Sequence, residues 1–274
     1  TISGDITSNT TLAEGYEYKL SGGVHVKEGA TLTIKPGVKI TAIDDDTPDY
    51  ILIEQGAKID AQGTASNPIV MTSETPENKW GGIHICGKAH TNAESGSGSS
   101  EIGGAKYGGS DDKDNSGTLR YIRLEYTGFA LDEEHEANGI SFYGVGSGTT
   151  VDHIESYKGG DDGFEFFGGS VNVNNMVSFD SSDDSFDWTE GWNGSATNIL
   201  AYQMSAEDDC LIEADNNGKN YDAVPVSRPT IKNAILIGNG GDGRGIRLRA
   251  GTQVILDNVV ACGKNMPLTV ETGQ

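Results

Sequence analysis

The chain has 274 residues, of which 41 are acidic and 19 are basic, so its formal net charge is −22. A charge of this sign repels phosphate backbones and anionic membrane surfaces, which argues against nucleic acid as a partner. Hydrophobic residues make up 35% of the chain, enough for a sizeable core, but no apolar run approaches the roughly 20 residues of a membrane span, so no membrane insertion of this segment is expected.

Short alternating runs fill the first 79 residues. The segments GVHVKEGATLTIKPGVKITA and ILIEQGAKIDAQGTASNPIVMTSE alternate apolar and polar residues between Gly and Pro corners. This alternation is typical of half-buried strands separated by tight turns. Residues 1–79 therefore form the predicted N-terminal coils of a solenoid, and residues 87–116, rich in Gly, Ser and Asp, form a predicted inserted loop.

From residue 117 to residue 274 the chain repeats a pair of short strands. The first strands are VDHIESY, VNNMVSF, ATNILAY, IKNAILI and LDNVVAC; the second strands are NGISFYG, DGFEFFG, DSFDWTE, LIEADNN, GIRLRAG and PLTVETG. Equivalent positions such as Met176 and Ile199 are only 23 residues apart. This spacing is too short for strand–helix–strand units, because the crossover helix alone needs about ten residues or more. The chain must coil, and we expect one all-β domain over residues 1–274, a right-handed parallel β-helix.

One repeat position carries the same residue type in four coils. The position is occupied by Tyr121, His153, Asn175, Asn198, Asn233 and Asn258. Stacked turns would let buried amides bond from coil to coil, so we predict an internal asparagine ladder with a structural role. His153 is expected to cap it.

Several segments resemble a known family. They are TLTIKPGVKI, GTASNPIVMTSE before WGGIHICG, SGTLRYIRLEYTG, and especially DDGFEFFGG and DDSFDWTEGW. They resemble secreted, surface-associated right-handed parallel β-helix proteins of Bacteroidota and marine bacteria. The resemblance covers nearly the whole chain and is most specific from Gly117 to Trp192. It implies the fold and an extracellular or outer cell-surface location, but no reaction.

Acidic residues recur at fixed positions of the repeat. Aligning the second strands by their alternation places one outward column at Ser141, Glu165, Asp187, Glu213, Arg247 and Thr269. One corner earlier, a second column holds Asp161, Asp183 and Asp209, with Asp162 and Asp184 beside two of its members. The sequence therefore predicts two adjacent acidic files.

Stacked carboxylates need compensation. Successive coils lie about 4.7–4.9 Å apart, so each stacked pair is repelled by roughly 1 kcal/mol or more. A hard cation such as Ca²⁺, raised carboxyl pKa values, or the guanidinium of Arg247 could each compensate. Turn chemistry alone would explain the corner aspartates, but it does not explain Glu165, Asp187 and Glu213, which lie within strands. The predicted metal ligands are Asp161, Asp183, Asp209, Glu165, Asp187 and Glu213, with Ca²⁺ as the expected ion.

Two further insertions interrupt the coils, Gly128–Ala137 and Ala214–Arg228. Long excursions from a rigid scaffold are common binding elements. The first leaves from the corner that carries the aspartate file. Its residues Asp132, Glu133, Glu134, His135 and Glu136 could overhang the files or form a solvated lobe.

Three side chains are candidates for ligand contact: Trp192, Arg247 and Arg249. Trp192 follows a strand in a turn, where an exposed ring beside carboxylates would suit stacking on a sugar, although packing into the turn is the alternative. The arginines either bind a ligand or offset the excess negative charge. Trp188 should face the core by alternation.

Histidine and cysteine offer no clear site. His84 falls on the outward phase of its strand without a second histidine nearby, which makes it a poor metal or catalytic candidate. Cys86, Cys210 and Cys262 are too scattered for a disulfide framework or a zinc site, and we expect them to be structural thiols.

Three functions are compatible with these features. The first is a surface module that binds Ca²⁺, and polysaccharide or cell-surface glycan, through the acidic files. The second is a polysaccharide-active enzyme, a lyase or an inverting glycoside hydrolase, with Glu165, Asp187, Glu213 and Arg247 as catalytic candidates. The third is a structural spacer, which the patterned charge argues against. No nucleophile paired with a base is evident, so the first reading is preferred.

Overall fold

The computed structural model describes residues 1–45, 47–132 and 135–271. The N-terminal strands are β1 Ile2–Ile6, β2 Thr10–Leu12, β3 Glu17–Val26, β4 Thr31–Ile34, β5 Lys39–Ala42, β6 Tyr50–Ile53, β7 Lys58–Gln62, β8 Ile69–Ser73 and β9 Ile83–Cys86. The inserted elements are a 3₁₀ turn at Glu94–Gly96 and strands β10 Gly98–Ser99, β11 Lys106–Tyr107, β13 Ala130–Asp132 and β14 His135–Glu136.

The regular coils begin at β12, Gly117–Glu125. They continue with β15 Ile140–Tyr143, β16 Thr150–Tyr157, β17 Phe164–Phe167, β18 Asn172–Phe179, β19 Phe186–Thr189, β20 Ser195–Tyr202, β21 Ile212–Ala214, β22 Thr230–Ile237, β23 Arg244–Leu248, β24 Ile255–Cys262 and β25 Met266–Val270.

Every pairing within the main sheet is parallel and joins one coil to the next. The first strands pair in the order β12, β16, β18, β20, β22 and β24, and the second strands in the order β6, β9, β15, β17, β19, β21, β23 and β25. Among the described residues this sheet has 21 strands and runs from β1 to β25. The predicted parallel β-helix is confirmed; its right-handed sense follows from the general rule for parallel crossovers and remains a prediction.

The asparagine file marks a corner of the coil. In β12, residues Gly117–Arg120 pair with β7 and residues Ile122–Leu124 pair with β8, while Tyr121 between them pairs with neither. Tyr121 and its equivalents in later coils all have a positive φ, between 49° and 58°. Asparagine tolerates this left-handed conformation better than most residues. The repeated residue therefore lets one long strand turn from one face of the coil to the next.

The file is stacked as predicted, but the expectation that it is internal is wrong. Asn258, Asn233 and Asn198 each donate Nδ2 to the Oδ1 of the asparagine one coil earlier, at 2.8, 3.1 and 3.2 Å. These three side chains are exposed, and Asn175 is half-buried. Side chains at a convex corner point outward, because the core is filled by the alternating residues on either side. Asn175 ends the file by donating to Asp152, so His153 is not its cap.

The interior is a single apolar column that runs through the coils. Phe142 stacks on Phe166 with ring centroids 4.9 Å apart, and Phe166 stacks on Trp192 at 3.9 Å. Trp188, predicted to face the core, is fully buried. Each such large side chain contributes about 1.5–3 kcal/mol by burial. This column provides the rigid support on which the outward residues are held.

The insertions cover part of the outer face of the second strands. The 87–116 segment packs Tyr107 against Tyr143, with ring centroids 5.0 Å apart, over a second apolar cluster that includes Cys86 and Phe167. β13 and β14 pair as an antiparallel hairpin. Within the described ranges there is no helix long and apolar enough to cross a bilayer.

Candidate functional site

The predicted outward column exists with the predicted register. Ser141 pairs with Glu165, Glu165 with Asp187, Asp187 with Glu213, and Glu213 with Arg247. The core-facing neighbours Phe164 and Phe186 are buried beside it. Because each residue is held by parallel pairing on both sides, the carboxylates of three successive coils lie one above another.

The corner aspartates divide into two kinds. Asp162 Oδ1 accepts a hydrogen bond from the backbone N of Asp184 at 2.9 Å, and Asp184 Oδ1 accepts one from the backbone N of Cys210 at 2.7 Å. These two carboxyls therefore bridge consecutive coils, as turn chemistry would require. Asp161 and Asp183 precede them and contribute to the same cleft.

Within the described part of the chain, a cleft of about 210 Å³ is lined by carboxylic residues alone. Its walls are Glu101, Glu136, Asp161, Asp162, Glu165, Asp183, Asp184, Asp187 and Glu213. The coils supply seven of these residues. The other two, Glu101 and Glu136, come from the two insertions that fold over the coils. Asp209 lies beside the cleft, in contact with the group formed by Asp184, Cys210 and Glu213.

The insertions were predicted only in part. For the 128–137 segment the sequence left an overhang and a solvated lobe open. Glu136 lines the cleft, as an overhang requires, while Glu133 and Glu134 lie outside the described residues. Glu101 was missed. It lies in a segment of low complexity, and no repeat or motif signals that its side chain returns to the coil.

Burial makes these carboxyls hard to ionise. It is the largest cause of the raised pKa of Asp161, about 8, and of Glu101, about 7, and neighbouring carboxylates raise both further. For the same two reasons the pKa values of four others lie well above their usual range: Asp162, Glu165, Asp184 and Asp187. In a cleft of this kind, burial and mutual repulsion favour the protonated, uncharged carboxyls over their ionised forms.

Among the described residues, three groups in or beside the cleft have ligand atoms within 4.8 Å of one another. They are Asp161, Asp162 and Asp183; Asp162, Glu165 and Asp187; and Asp184, Asp209, Cys210 and Glu213. The first two offer oxygen alone, which hard cations prefer. The third includes a buried thiol whose pKa is raised by burial. All six predicted metal ligands thus fall in these groups.

Asn138 supplies a neutral polar group at the edge of the carboxylates. Its side chain is 1% exposed, and Nδ2 donates to Glu165 Oε2 at 2.7 Å and to Ser141 Oγ at 3.0 Å. The amide oxygen Oδ1 is buried and has no hydrogen-bond partner among the described residues. A carbonyl oxygen of this kind is a suitable additional ligand for a hard cation.

The arginines close one end of the column rather than standing free for a ligand. Arg247 Nη1 donates to Glu213 at 2.9 Å and Nε donates to Glu271 at 2.8 Å, while Arg249 contacts Glu213 and donates to Asp215 at 2.6 Å. Hydrogen bonding to Glu271, together with the Glu213 charge, raises the pKa of Arg247. A guanidinium held in this way is a poor general base, which weighs against Arg247 as a catalytic candidate. Charge compensation, the other interpretation, fits the contacts.

The ring of Trp192 is not available to stack on a sugar. Its side chain is fully buried, its ring stacks on Phe166, and Nε1 donates to the carbonyl oxygen of Val171 at 3.0 Å. The turn that carries it folds back over the coil, so the packing alternative is correct. His84 is also buried, and burial lowers its pKa to about 4, which leaves it neutral.

The fold and the cleft define a parallel β-helix with a carboxylate-lined outer face. The chain belongs to the family of pectate-lyase-like β-helix domains, whose model matches residues 4–274. No curated protein and no solved structure matches it.

Proposed function

We propose that this protein is an extracellular β-helix module that binds a hard divalent cation, Ca²⁺, in the acidic cleft and engages polysaccharide. One observation carries the proposal: a cleft that nine of the described carboxylic residues line, converging from the coils and from two insertions. Solvated surface charge would not require burial, whereas Asp161, Asp162, Asp184 and Glu213 are each less than 9% exposed.

A divalent cation would neutralise the carboxylates that the fold gathers in the cleft. Without one, burial and the neighbouring carboxylates raise the pKa values of Asp162 and Asp187 and so favour their protonated forms. A cation would replace those protons, so that its binding would release them to solvent. The oxygen-only groups around Asp162 and Asp187 favour Ca²⁺ over thiophilic metals, and Ca²⁺ accepts six to eight oxygens in flexible geometry.

The partner and the location rest on different support. A net charge of −22 suits a protein that stays soluble outside the cell. Membership of a pectate-lyase-like family supports a polysaccharide as the partner. A carboxylate-bound Ca²⁺ could also bridge to acidic groups of such a glycan.

A polysaccharide-active enzyme is the alternative, favoured by the same family membership. The raised pKa of Glu165 or Asp187 would suit a general acid. However, these two carboxylates approach within 4.8 Å, closer than the roughly 6.5–9.5 Å of inverting hydrolases. Depolymerisation assays on a panel of glycans, with and without Ca²⁺, test this alternative directly.

Thermal unfolding in Ca²⁺ and in chelator tests the cation. Saturation at a hundred times the dissociation constant stabilises the fold by about 2.7 kcal/mol, so the melting temperature should rise with Ca²⁺. The double variant Glu165→Gln, Asp187→Asn should fold and lose this response. As the control, Glu14→Gln, Glu17→Gln removes two exposed carboxylates elsewhere and should keep it. Identical melting of the wild type in Ca²⁺ and in chelator would overturn the cation site.

A further inference from the structure

A second cleft, of about 500 Å³, lies between the 87–116 and 214–228 insertions. Its floor is formed by Thr189, Glu190 and Asn217, which are half-buried, and its rim by the exposed Glu94, Lys219 and Asn220. The volume falls within the roughly 300–1,000 Å³ of small-ligand sites.

The two insertions are locked together beneath this cleft. Asn92, 8% exposed, donates Nδ2 to Asn216 Oδ1 at 2.9 Å and to the carbonyl oxygen of Pro225 at 2.9 Å. Asn217 in turn donates Nδ2 to Asn92 Oδ1 at 3.1 Å. These bonds join residues more than 120 positions apart. The cleft is therefore preformed, and a ligand would not have to pay for ordering its walls.

Glu190 has a left-handed backbone conformation that glycine would adopt with less strain. The equivalent residues of the two preceding coils are Gly144 and Gly168, and all three have a positive φ. A glutamate accepts conformational strain there that glycine avoids. Its Oε2 accepts hydrogen bonds from Thr91 Oγ1 at 2.6 Å and from Tyr107 at 2.7 Å. Its Oε1 has no hydrogen bond to any described residue.

The remaining polar groups of the cleft form a mixed set of donors and acceptors. Neither Thr189 Oγ1 nor Lys219 Nζ has a hydrogen bond or ion pair with a described residue, and Asn220 uses only its Oδ1. Together with Glu190 Oε1, they offer one hydroxyl, one carboxylate oxygen, one ammonium and one amide NH₂ group. Each hydroxyl of a sugar both donates and accepts, and such a set satisfies neighbouring hydroxyls at once.

We propose that this cleft is a binding site for a neutral oligosaccharide. Glu94 and Glu190 against Lys219 leave it with a net negative charge, on a chain whose formal charge is already −22. That charge disfavours phosphates and uronates. Neutral hydroxyl-rich chains carry no such penalty.

The site lies next to the acidic cleft but is chemically distinct from it. Strand β19 supplies Asp187 to the acidic cleft and Thr189 to this one, two residues further on the same outer face, about 6.6 Å away. The inference rests on the polysaccharide part of the proposed function and not on the cation. A glycan seated here would run along the outer face toward the carboxylates.

Binding of neutral and acidic oligosaccharides, measured by titration calorimetry in Ca²⁺ and in chelator, tests the proposal. Wild type should bind at least one neutral oligosaccharide in both conditions. Lys219→Ala and Thr189→Val should each weaken that binding about fivefold to tenfold, the cost of one hydrogen bond. Glu190→Gln should weaken it further, because its oxygen can still hold Thr91 and Tyr107 while a donor replaces the acceptor in the cleft.

Matched controls are Lys113→Ala, an exposed lysine outside the cleft, and Thr197→Val, on the outer face of β20. Both should bind as wild type. The proposal is overturned if no neutral oligosaccharide binds, if the cleft variants bind as the controls do, or if only acidic oligosaccharides bind and chelation abolishes it. A missing Ca²⁺ response with neutral binding intact would contradict the cation site alone.

Discussion

Asn198 donates Nδ2 to Oδ1 of Asn175, 3.2 Å away on the preceding coil, while both residues hold a left-handed backbone. The hydrogen bond is exposed, so it contributes little beyond holding the side chains in register. The backbone conformation is what selects the residue. Asparagine at this corner relieves the strain that most other side chains would meet.

If the left-handed backbone selects asparagine here, replacement of Asn198 by alanine should destabilise the protein more than replacement by glycine. Asn198→Ala should lower the free energy of unfolding by about 1–2 kcal/mol, because alanine is strained at positive φ. Asn198→Gly should cost less, although it removes the same hydrogen bonds. Melting temperatures of the two variants check this. If glycine proved as harmful as alanine, the hydrogen-bonded file would be the main source of stability instead.

The acidic cleft predicts a pH dependence that Ca²⁺ removes. A carboxyl whose pKa is raised on folding stabilises the folded state at low pH and loses that contribution as pH rises toward the folded pKa. The pKa of Asp161 is raised from 3.8 to about 8. This shift should therefore lower the free energy of unfolding by roughly 1–2 kcal/mol between pH 6.5 and pH 8 in chelator. Below pH 6.5 the lowered pKa of His84 opposes the trend.

Melting curves across that window, recorded in chelator and in Ca²⁺, measure the effect. In chelator the melting temperature should fall as pH rises, and the stabilisation by Ca²⁺ should be largest at the alkaline end. A flat profile in chelator would mean that the cleft carboxyls ionise at their ordinary pKa values.

Glu213 and Asp187 belong to one column but should respond oppositely to neutralisation. Glu213→Gln leaves Arg247 and Arg249 without their shared carboxylate, and because both guanidinium groups reach solvent the cost should be about 1–2 kcal/mol. Asp187→Asn removes a carboxyl whose ionisation is opposed by burial and by its neighbours, and it should raise the melting temperature near pH 8 in chelator. Destabilisation by both variants would show that Asp187 has a compensating partner.

Because the Trp192 side chain is buried, substitutions of it should lower stability without specifically weakening glycan binding. Trp192→Ala should cost about 3–5 kcal/mol, because it opens a cavity in the aromatic column. Trp192→Phe should cost less and still bind any glycan that the wild type binds. Unfolding and binding measured on the phenylalanine variant separate these outcomes. Lost binding with an unchanged melting temperature would restore the sugar-stacking interpretation.

The sequence predicted much of the fold because repeats carry their own register. Alternation along DGFEFFG and DSFDWTE was enough to place Glu165 above Ser141 and Asp187 above Glu165, and the structure confirms both pairings. The same repeat identified the asparagine file. It could not show on which side of the coil the file lies, because an unpaired residue at a left-handed corner breaks the alternation.

The site was harder to predict where it depends on insertions. Glu101 and Glu190 meet other chain segments through folded loops, and no periodicity relates those segments to the coils. For Trp192 the sequence left sugar stacking and turn packing open for the same reason: a turn residue has no strand phase that assigns it to the core. Register places Arg247 beside Glu213, but it does not show that Glu271 and Asp215 also bind the arginines.

The sequence by itself determined the coil, its register and the stacking of acidic residues, because parallel pairing repeats the same local geometry in every coil. Only the tertiary structure decided that these carboxyls are buried and that Glu101 and Glu136 complete their cleft. Burial depends on how the inserted loops pack across the outer face, and that packing arises from contacts between distant residues such as Asn92 and Asn216. The burial of the cleft carboxyls is therefore set by the loops, while the positions of those carboxyls on the coils are set by the repeat.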